Sequence, residues 1–365
     1  MDKSVYNPRK LTEKYYGYRH SAEIINKISS AIKLADLNND IPYMLYFREE
    51  LCEAASRWYM DAADIIKVFK EALALIDKYP DVERTYFQVG KDATEHLLCT
   101  YKTFLNTIIN FDSVPLKEYK EYLNDFIKRW TKYGYTQKEP YRMELGLCLE
   151  TGDMDGVEKL WQEYKKTPKN IYEREACHIT DIKYYLLNNE LEKALQLTNG
   201  VPDEYRKHLC LEYYLVNGGY KNAEETAYRL EHSYSLKREA MQFASFMCAY
   251  AYNRTGRSLR IYKKYWKEWE AEKNPKYRYY TFKNAACFFK ILKEAKGSGT
   301  VKLKTGSPLP ACGVDNIYNT DMLYRYYYKE AEEIAERFDK RNGTGIYAKR
   351  LLTSLENACA GKDKL

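Results

Sequence analysis

The sequence predicts an all-α protein, a solenoid of stacked helix pairs with one short non-helical insertion near its C-terminal end. Three observations carry this. Apolar residues recur at three- and four-residue intervals through most of the 365 positions. Glycine or asparagine interrupts that pattern at intervals of roughly 30 to 40 residues, the period of stacked helix pairs. Ten prolines and 17 glycines are too few for a chain dominated by loops.

Taken in order, "MLYFREELCEAASRW" and "ADIIKVFKEALALIDKYP" read as two amphipathic helices broken near Tyr59-Met60-Asp61. Residues 85–110 and 116–133 read as a longer pair, parted by Asp112-Ser113-Val114-Pro115. Ser113 is the expected cap of the second helix, with Pro115 in its opening turn. These N-terminal pairs, residues 1–137, show no evident turn motif.

A turn motif emerges in the next block, residues 138–296. "CLETGDMDGVEKLW", "YYLLNNELEKALQLT", "YYLVNGGYKNAEETA" and "YAYNRTGRSLRIYKKY" share one layout, with turns at Gly152, Asn189, Gly218 and Gly256. Four residues before each stand Cys148, Tyr185, Tyr214 and Tyr252. Five after stand Val157, Ala194, Ala223 and Ile261, and nine after stand Trp161, Thr198, Ala227 and Tyr265. Gly and Asn enter the left-handed region that lets a helix end and the chain reverse. The positions five and nine residues on are one helical turn apart, so both face the preceding helix.

This layout resembles the tetratricopeptide repeat. Gly152-Asp153 and Gly219-Tyr220 fill its turn, Ala194 and Ala223 its small position, Trp161 its later aromatic, and Pro168 and Pro275 its terminal proline. The resemblance covers about residues 138–275 and is degenerate: only Tyr141 supplies the early aromatic, and Asn189 replaces a turn glycine. That repeat's second helix is cut short at Asn199-Gly200-Val201-Pro202. The resemblance implies a right-handed α-α superhelix with a concave groove, lined by the first helix of each pair, that holds a peptide. The phrase FDKRNGT is also similar to the end of some uncharacterised bacterial tetratricopeptide-like proteins, and it implies no activity.

Residues 297–320 break the regularity. Four glycines, two prolines and the alternating Val301-Lys302-Leu303-Lys304 suit either a short hairpin or a loop. A strong helix then runs from about 321 to 340, ends at Asn342-Gly343, and is followed by a last helix to about 359. Residues 321–365 are thus the expected C-terminal capping helices of one continuous solenoid.

Composition bounds the function. Nine cysteines are scattered without a C-x-x-C, which suits reduced thiols better than a disulfide framework. The opening residues carry no apolar signal core, and no apolar run approaches the ~18 residues of a membrane span. A cytoplasmic protein without membrane association is expected. Tyrosine is abundant, 38 against 12 Phe, which suits either a binding surface or the codon bias of an A- and T-rich genome.

Sequence signals for chemistry are sparse. There is no G-x-G-x-x-G, G-x-x-x-x-G-K-[ST], H-E-x-x-H or G-x-S-x-G, and Gly90-Lys91 lacks the rest of a phosphate loop. His96 and Cys99 share a helix face, but no second pair completes a metal site. His178 and Asp181, three apart on an expected helix, suit either an acid–base pair or a local hydrogen bond. No catalytic residue, metal or cofactor is expected.

Two binding surfaces remain. Stepping back from each turn by the helical period assigns Arg142, Ile179, Lys183, Tyr205, His208, Glu212, Phe246 and Tyr250 to the groove, a mixture suited to a peptide or partner helix. The stretch 254–283 holds ten Lys or Arg and three Glu, a net +7 equal to that of the whole chain. On a helix, Tyr262, Tyr265, Trp266 and Trp269 share one stripe, while Arg260, Lys263, Lys264 and Lys267 share nearly the opposite one. The expected function is a non-catalytic protein- or peptide-binding scaffold. The alternatives are a peptide-sensing regulator and a module that binds nucleic acid or an acidic partner through this ridge.

Overall fold

The computed structural model describes residues 6–16, 23–58, 60–79, 93–168, 174–198, 204–233, 240–303 and 316–360. It is all-helical apart from two short strands, and it divides into two compact units, Met1–Tyr135 and Thr136–Leu365.

The first unit contains α1 (Pro8–Tyr16), α2 (Glu23–Leu37), α3 (Ile41–Trp58), α4 (Ala62–Lys78), α5 (Ala93–Ile108) and α6 (Leu116–Lys132). Residues 85–92, expected to begin α5, lie outside the described residues. In α6 the buried residues are Tyr119, Leu123, Phe126 and Trp130, one stripe at helical spacing. Burying each contributes roughly 1.5–3 kcal/mol. Pro115, not Ser113, occupies the N-cap, without a side-chain cap bond, and Ser113 is exposed. The proline ring fixes the approach to the helix, so no hydroxyl is needed.

The second unit comprises α7 (Lys138–Thr151), α8 (Met154–Lys166), α9 (Arg174–Leu187), α10 (Leu191–Gln196), α11 (Glu204–Val216), α12 (Tyr220–Ser233), α13 (Ala240–Ala249), α14 (Thr255–Glu270), α15 (Pro275–Lys290), α16 (Thr320–Asn342) and α17 (Ile346–Ala358). Within each pair the second helix packs on the first. The first helices pack in succession, α7 on α9, α9 on α11, α11 on α13 and α13 on α15. A π-helical turn, Ile291–Ala295, extends α15. Residues 281–289 of α15 are all buried, because α13, α16 and α17 surround it.

Five turns close in the same way. Asn39, Gly152, Asn189, Gly218 and Gly343 all have positive φ, between 50° and 79°. The amide that follows each reaches back into the helix: Asp40 to the Ala35 carbonyl, Asp153 to Cys148, Glu190 to Tyr185, Gly219 to Tyr214 and Thr344 to Asp339, at 2.8–3.1 Å. This bond satisfies a carbonyl that the helix end leaves open. Gly156 has a separate cause. Asp153 caps α8 by accepting from the Gly156 amide at 3.0 Å, and a Cβ at Gly156 would lie 2.5 Å from that carboxylate.

The fourth turn differs from expectation. Gly256 lies inside α14 rather than in the turn, which is made by residues 250–253. Ser258, fully buried and donating to the Met247 carbonyl at 2.8 Å, takes the small position expected of Ile261. Tyr262, also fully buried, takes the place expected of Tyr265. No residue with positive φ marks this reversal, so the nearest glycine misplaces the register by three residues.

Strands β1 (Thr300–Lys302) and β2 (Ile317–Asn319) pair antiparallel, Val301 opposite Tyr318. Both of those side chains and Leu303 join the main core of this unit, so the hairpin anchors the connection from α15 to α16. Residues 304–315 lie outside the described residues. No helix among the described residues is long and apolar enough to cross a membrane.

Candidate functional site

The last helix decides what is left open on the first-helix face. Rather than extending the stack beyond α16 alone, α17 packs on α11, α15 and α16. Its start is tied to the end of α7, where Thr344 donates to the Thr151 carbonyl at 2.7 Å and the Tyr347 hydroxyl donates to Glu150. Farther along, Lys290 donates to the Leu355 carbonyl and Asn357 to the Val216 carbonyl, each at 2.9 Å. Two polar regions result on this face, one closed and one open.

The closed region joins α11, α13 and α15. Glu212 accepts from Lys283 at 3.0 Å, from Asn284 at 3.1 Å and from the Ser245 hydroxyl. Burial alone would raise its carboxyl. The Lys283 and His208 charges and the hydrogen bonds from Ser245 and Lys283 outweigh burial and hold it near pKa 2. Ser245 spends its one proton on Glu212, so it accepts from Asn284 at 3.1 Å and from His208 Nε2 at 3.2 Å. His208 is thus a donor to serine, with burial the largest cause lowering its pKa. The residue types are those of a Ser-His-Glu triad, but a triad needs His as base to the serine, and Ser245 is fully buried. This cluster holds three helices in register.

The open region centres on Lys183 of α9. Its side chain is exposed, yet its ammonium is depressed to a pKa of about 8. Burial by surrounding protein is the largest cause. Lys276 and Arg142 add to it, and Glu150 and Tyr280 oppose it. Lys183 is thus open to solvent at a place crowded by neighbouring protein. Lys276 of α15 donates to Glu150 of α7 at 2.6 Å, with the Tyr347 hydroxyl on the other oxygen. Arg142 is held by a two-point pair with Glu139, at 2.8 and 2.5 Å. Arg350 of α17 lies 5.8 Å from the Tyr347 ring centroid and, like Lys183, within electrostatic reach of Glu150 and Tyr280.

The groove residues expected from the sequence separate accordingly. Lys183 is exposed in the open region, Arg142 is half-buried beside it, and Ile179 is half-buried one turn before Lys183. His208 and Glu212 belong to the closed cluster. Phe246 and Tyr250 are core side chains, 1% and 0% exposed, and offer no surface to a ligand. The side chain of Tyr205 lies outside the described residues. Glu150, Lys276, Tyr280 and Arg350 were not expected. Lys276 and Tyr280 carry a signal in retrospect, four residues apart on one helix face inside the basic stretch. Arg350 carries none, because its helix reads as a terminal cap.

The basic ridge has the expected geometry for its cations: Arg260, Lys263, Lys264 and Lys267 are all exposed. Tyr262, Trp266 and Trp269 point inward and are buried, while Tyr265 is half-buried and stacks on Phe243 at 3.9 Å. His96 sits 3.1 Å from Glu49 of α3, and buried Asp181 interacts with the Tyr164 hydroxyl of α8, so one member of each pair singled out in the sequence, His96–Cys99 and His178–Asp181, meets a partner from another helix. Among the described residues no group of three or more His, Cys, Asp or Glu is arranged to hold a metal ion. In comparison with known proteins, no family model and no curated protein matches the chain.

Proposed function

We propose that the chain is a non-catalytic scaffold that binds a peptide or protein segment on the first-helix face of a tetratricopeptide-like array, in the concavity around Lys183. The observation that carries this reading is an exposed lysine of α9 whose charged and polar neighbours come from α7 and α15, with α17 tied to the same Glu150 through Tyr347. A concave site with a few convergent polar groups is the usual form of a ligand site. Its residues are donors and charges with no nucleophile–base pair among them, which favours binding over catalysis. The test is hydrogen exchange on the full chain with peptides selected from a random library. Slowed exchange in α9 and in the first turns of α15 and α17 is the expected result. Protection confined to α12 or α14, or no selected peptide, would overturn it.

A second reading has its own observation. The four ridge cations are exposed and form no ion pair among the described residues, so they are free to meet a polyanion. Binding of single-stranded nucleic acid that weakens steeply with salt and vanishes when these four positions are neutralised would favour the ridge.

A further inference from the structure

We infer that the surface where α12 meets α14 binds single-stranded nucleic acid, with the four ridge cations on its phosphates and the Tyr228–His232 pair stacked against a base. This rests on the ridge reading and names its ligand, and it is independent of the peptide reading.

Ion pairs join the two helices at one end of this surface. Arg254, at the N-cap of α14, donates to Glu224 at 2.8 Å, and Arg257 donates to Glu231 at 2.7 Å. Those charges are matched. Farther along α14, Arg260, Lys263, Lys264 and Lys267 are exposed and form no ion pair among the described residues, and the helix carries one exposed acid, Glu268. Tyr262, Trp266 and Trp269 are buried on the opposite face, so the cations stand on a helix fixed against the core. From Arg254 to Lys267 the helix runs about 20 Å, the length of several phosphates on one strand. Fixed positive charge in surplus over that length complements a polyanion.

Charge alone does not choose between a nucleic acid and an acidic protein. The aromatic groups do. Tyr228 of α12 is 41% exposed, and the exposed His232 ring lies 4.1 Å from it, centroid to centroid. His232 is held in place because its Nδ1 donates to the Tyr228 carbonyl at 2.7 Å. The Arg254 guanidinium lies 4.8 Å from the Tyr228 ring centroid, which ties this aromatic pair to the start of the cationic helix. Exposed rings beside a cationic track are what unpaired bases stack on. An acidic peptide brings no base to such a pair, and a duplex keeps its bases stacked inside.

The test is fluorescence anisotropy of the full chain with a labelled oligonucleotide of about 12 nucleotides, single-stranded and as a duplex, with oligoglutamate as competitor. The single strand should bind at least about tenfold more tightly than the duplex. Tyr228→Ala should weaken single-strand binding at least about fivefold without changing its salt dependence, and Tyr228→Trp should restore it. Lys263→Gln should instead lower the slope of log affinity against log salt by about 0.7. Tyr228 lies outside the core cluster, so both of its variants keep the fold, and the preference for the single strand is read on the unaltered chain. Equal binding of the duplex, or single-strand binding indifferent to Tyr228→Ala, leaves the ridge reading standing and overturns this inference. Oligoglutamate that competes as well as the unlabelled strand does the same. No binding of either oligonucleotide overturns both.

Discussion

Lys283→Met should destabilise the second unit by about 3–5 kcal/mol at neutral pH, the usual effect of orphaning one member of a buried ion pair. The structure supplies its own scale. Glu212 is held from an ordinary 4.5 down to about 2. A difference of that size corresponds to roughly 3 kcal/mol of native-state stabilisation. The sign follows from a depressed carboxylate: the stability is fully present above pH 4.5 and is lost as pH falls toward 2. Methionine keeps the apolar stem of Lys283 but leaves Glu212 with burial as the dominant influence, which raises its carboxyl. The variant's deficit should therefore be largest near pH 7 and shrink by about pH 3.5, where the orphaned Glu212 is protonated while the wild-type one is still charged. Urea unfolding of the full chain by circular dichroism measures the loss, and hydrogen exchange in α11 and α15 localises it. Adding Glu212→Gln to Lys283→Met should restore much of it. A loss below about 1 kcal/mol, or one independent of pH, would refute the reasoning.

Other predictions concern the turns and the surface. Gly152→Ala should cost about 1–2 kcal/mol, since φ is +76° and the new Cβ meets Ile346 Cδ1 at 3.0 Å. Gly256→Ala should instead leave the melting temperature unchanged or raise it, because that residue is helical with open space around it. A loss at Gly256 equal to that at Gly152 would return it to the turn. Neutralising Arg260, Lys263, Lys264 and Lys267 together should change stability by less than about 0.5 kcal/mol per site while abolishing retention on a heparin column. A marked drop in melting temperature would show these side chains to be structural.

Much of the helical architecture was legible because local chemistry writes it. The residue four before Gly152, Asn189 and Gly218 owns the carbonyl that closes the turn, and the residues five and nine after it face the preceding helix. Where the chain reverses without a left-handed residue, as before α14, the signal disappears and the nearest glycine misleads. The equivalent turn at Asn39 went unread because Asn38-Asn39-Asp40 stands outside the spaced series of turns that picks out Asn189, which also lacks a glycine. The site was only partly legible. Lys183 and Arg142 follow from helical spacing counted back from a turn. Tyr280 comes near them from α15, and Arg350 reaches Glu150 only because α17 folds back onto α7, α11 and α15; both are long-range events that periodicity cannot encode. Phe246 and Tyr250 share the spacing of the groove residues but are enclosed by the core around them.

The most direct test of the central claim is the titration of Lys183 in the full chain, followed by NMR of ¹³C-labelled lysine with Lys183→Arg for assignment. A lysine crowded by protein and by the Lys276 and Arg142 charges should titrate near pH 8 and shift when a peptide selected for binding is added. A midpoint near the ordinary 10.5, unmoved by that peptide, would mean that Lys183 is a solvated surface residue and that the binding site is not there.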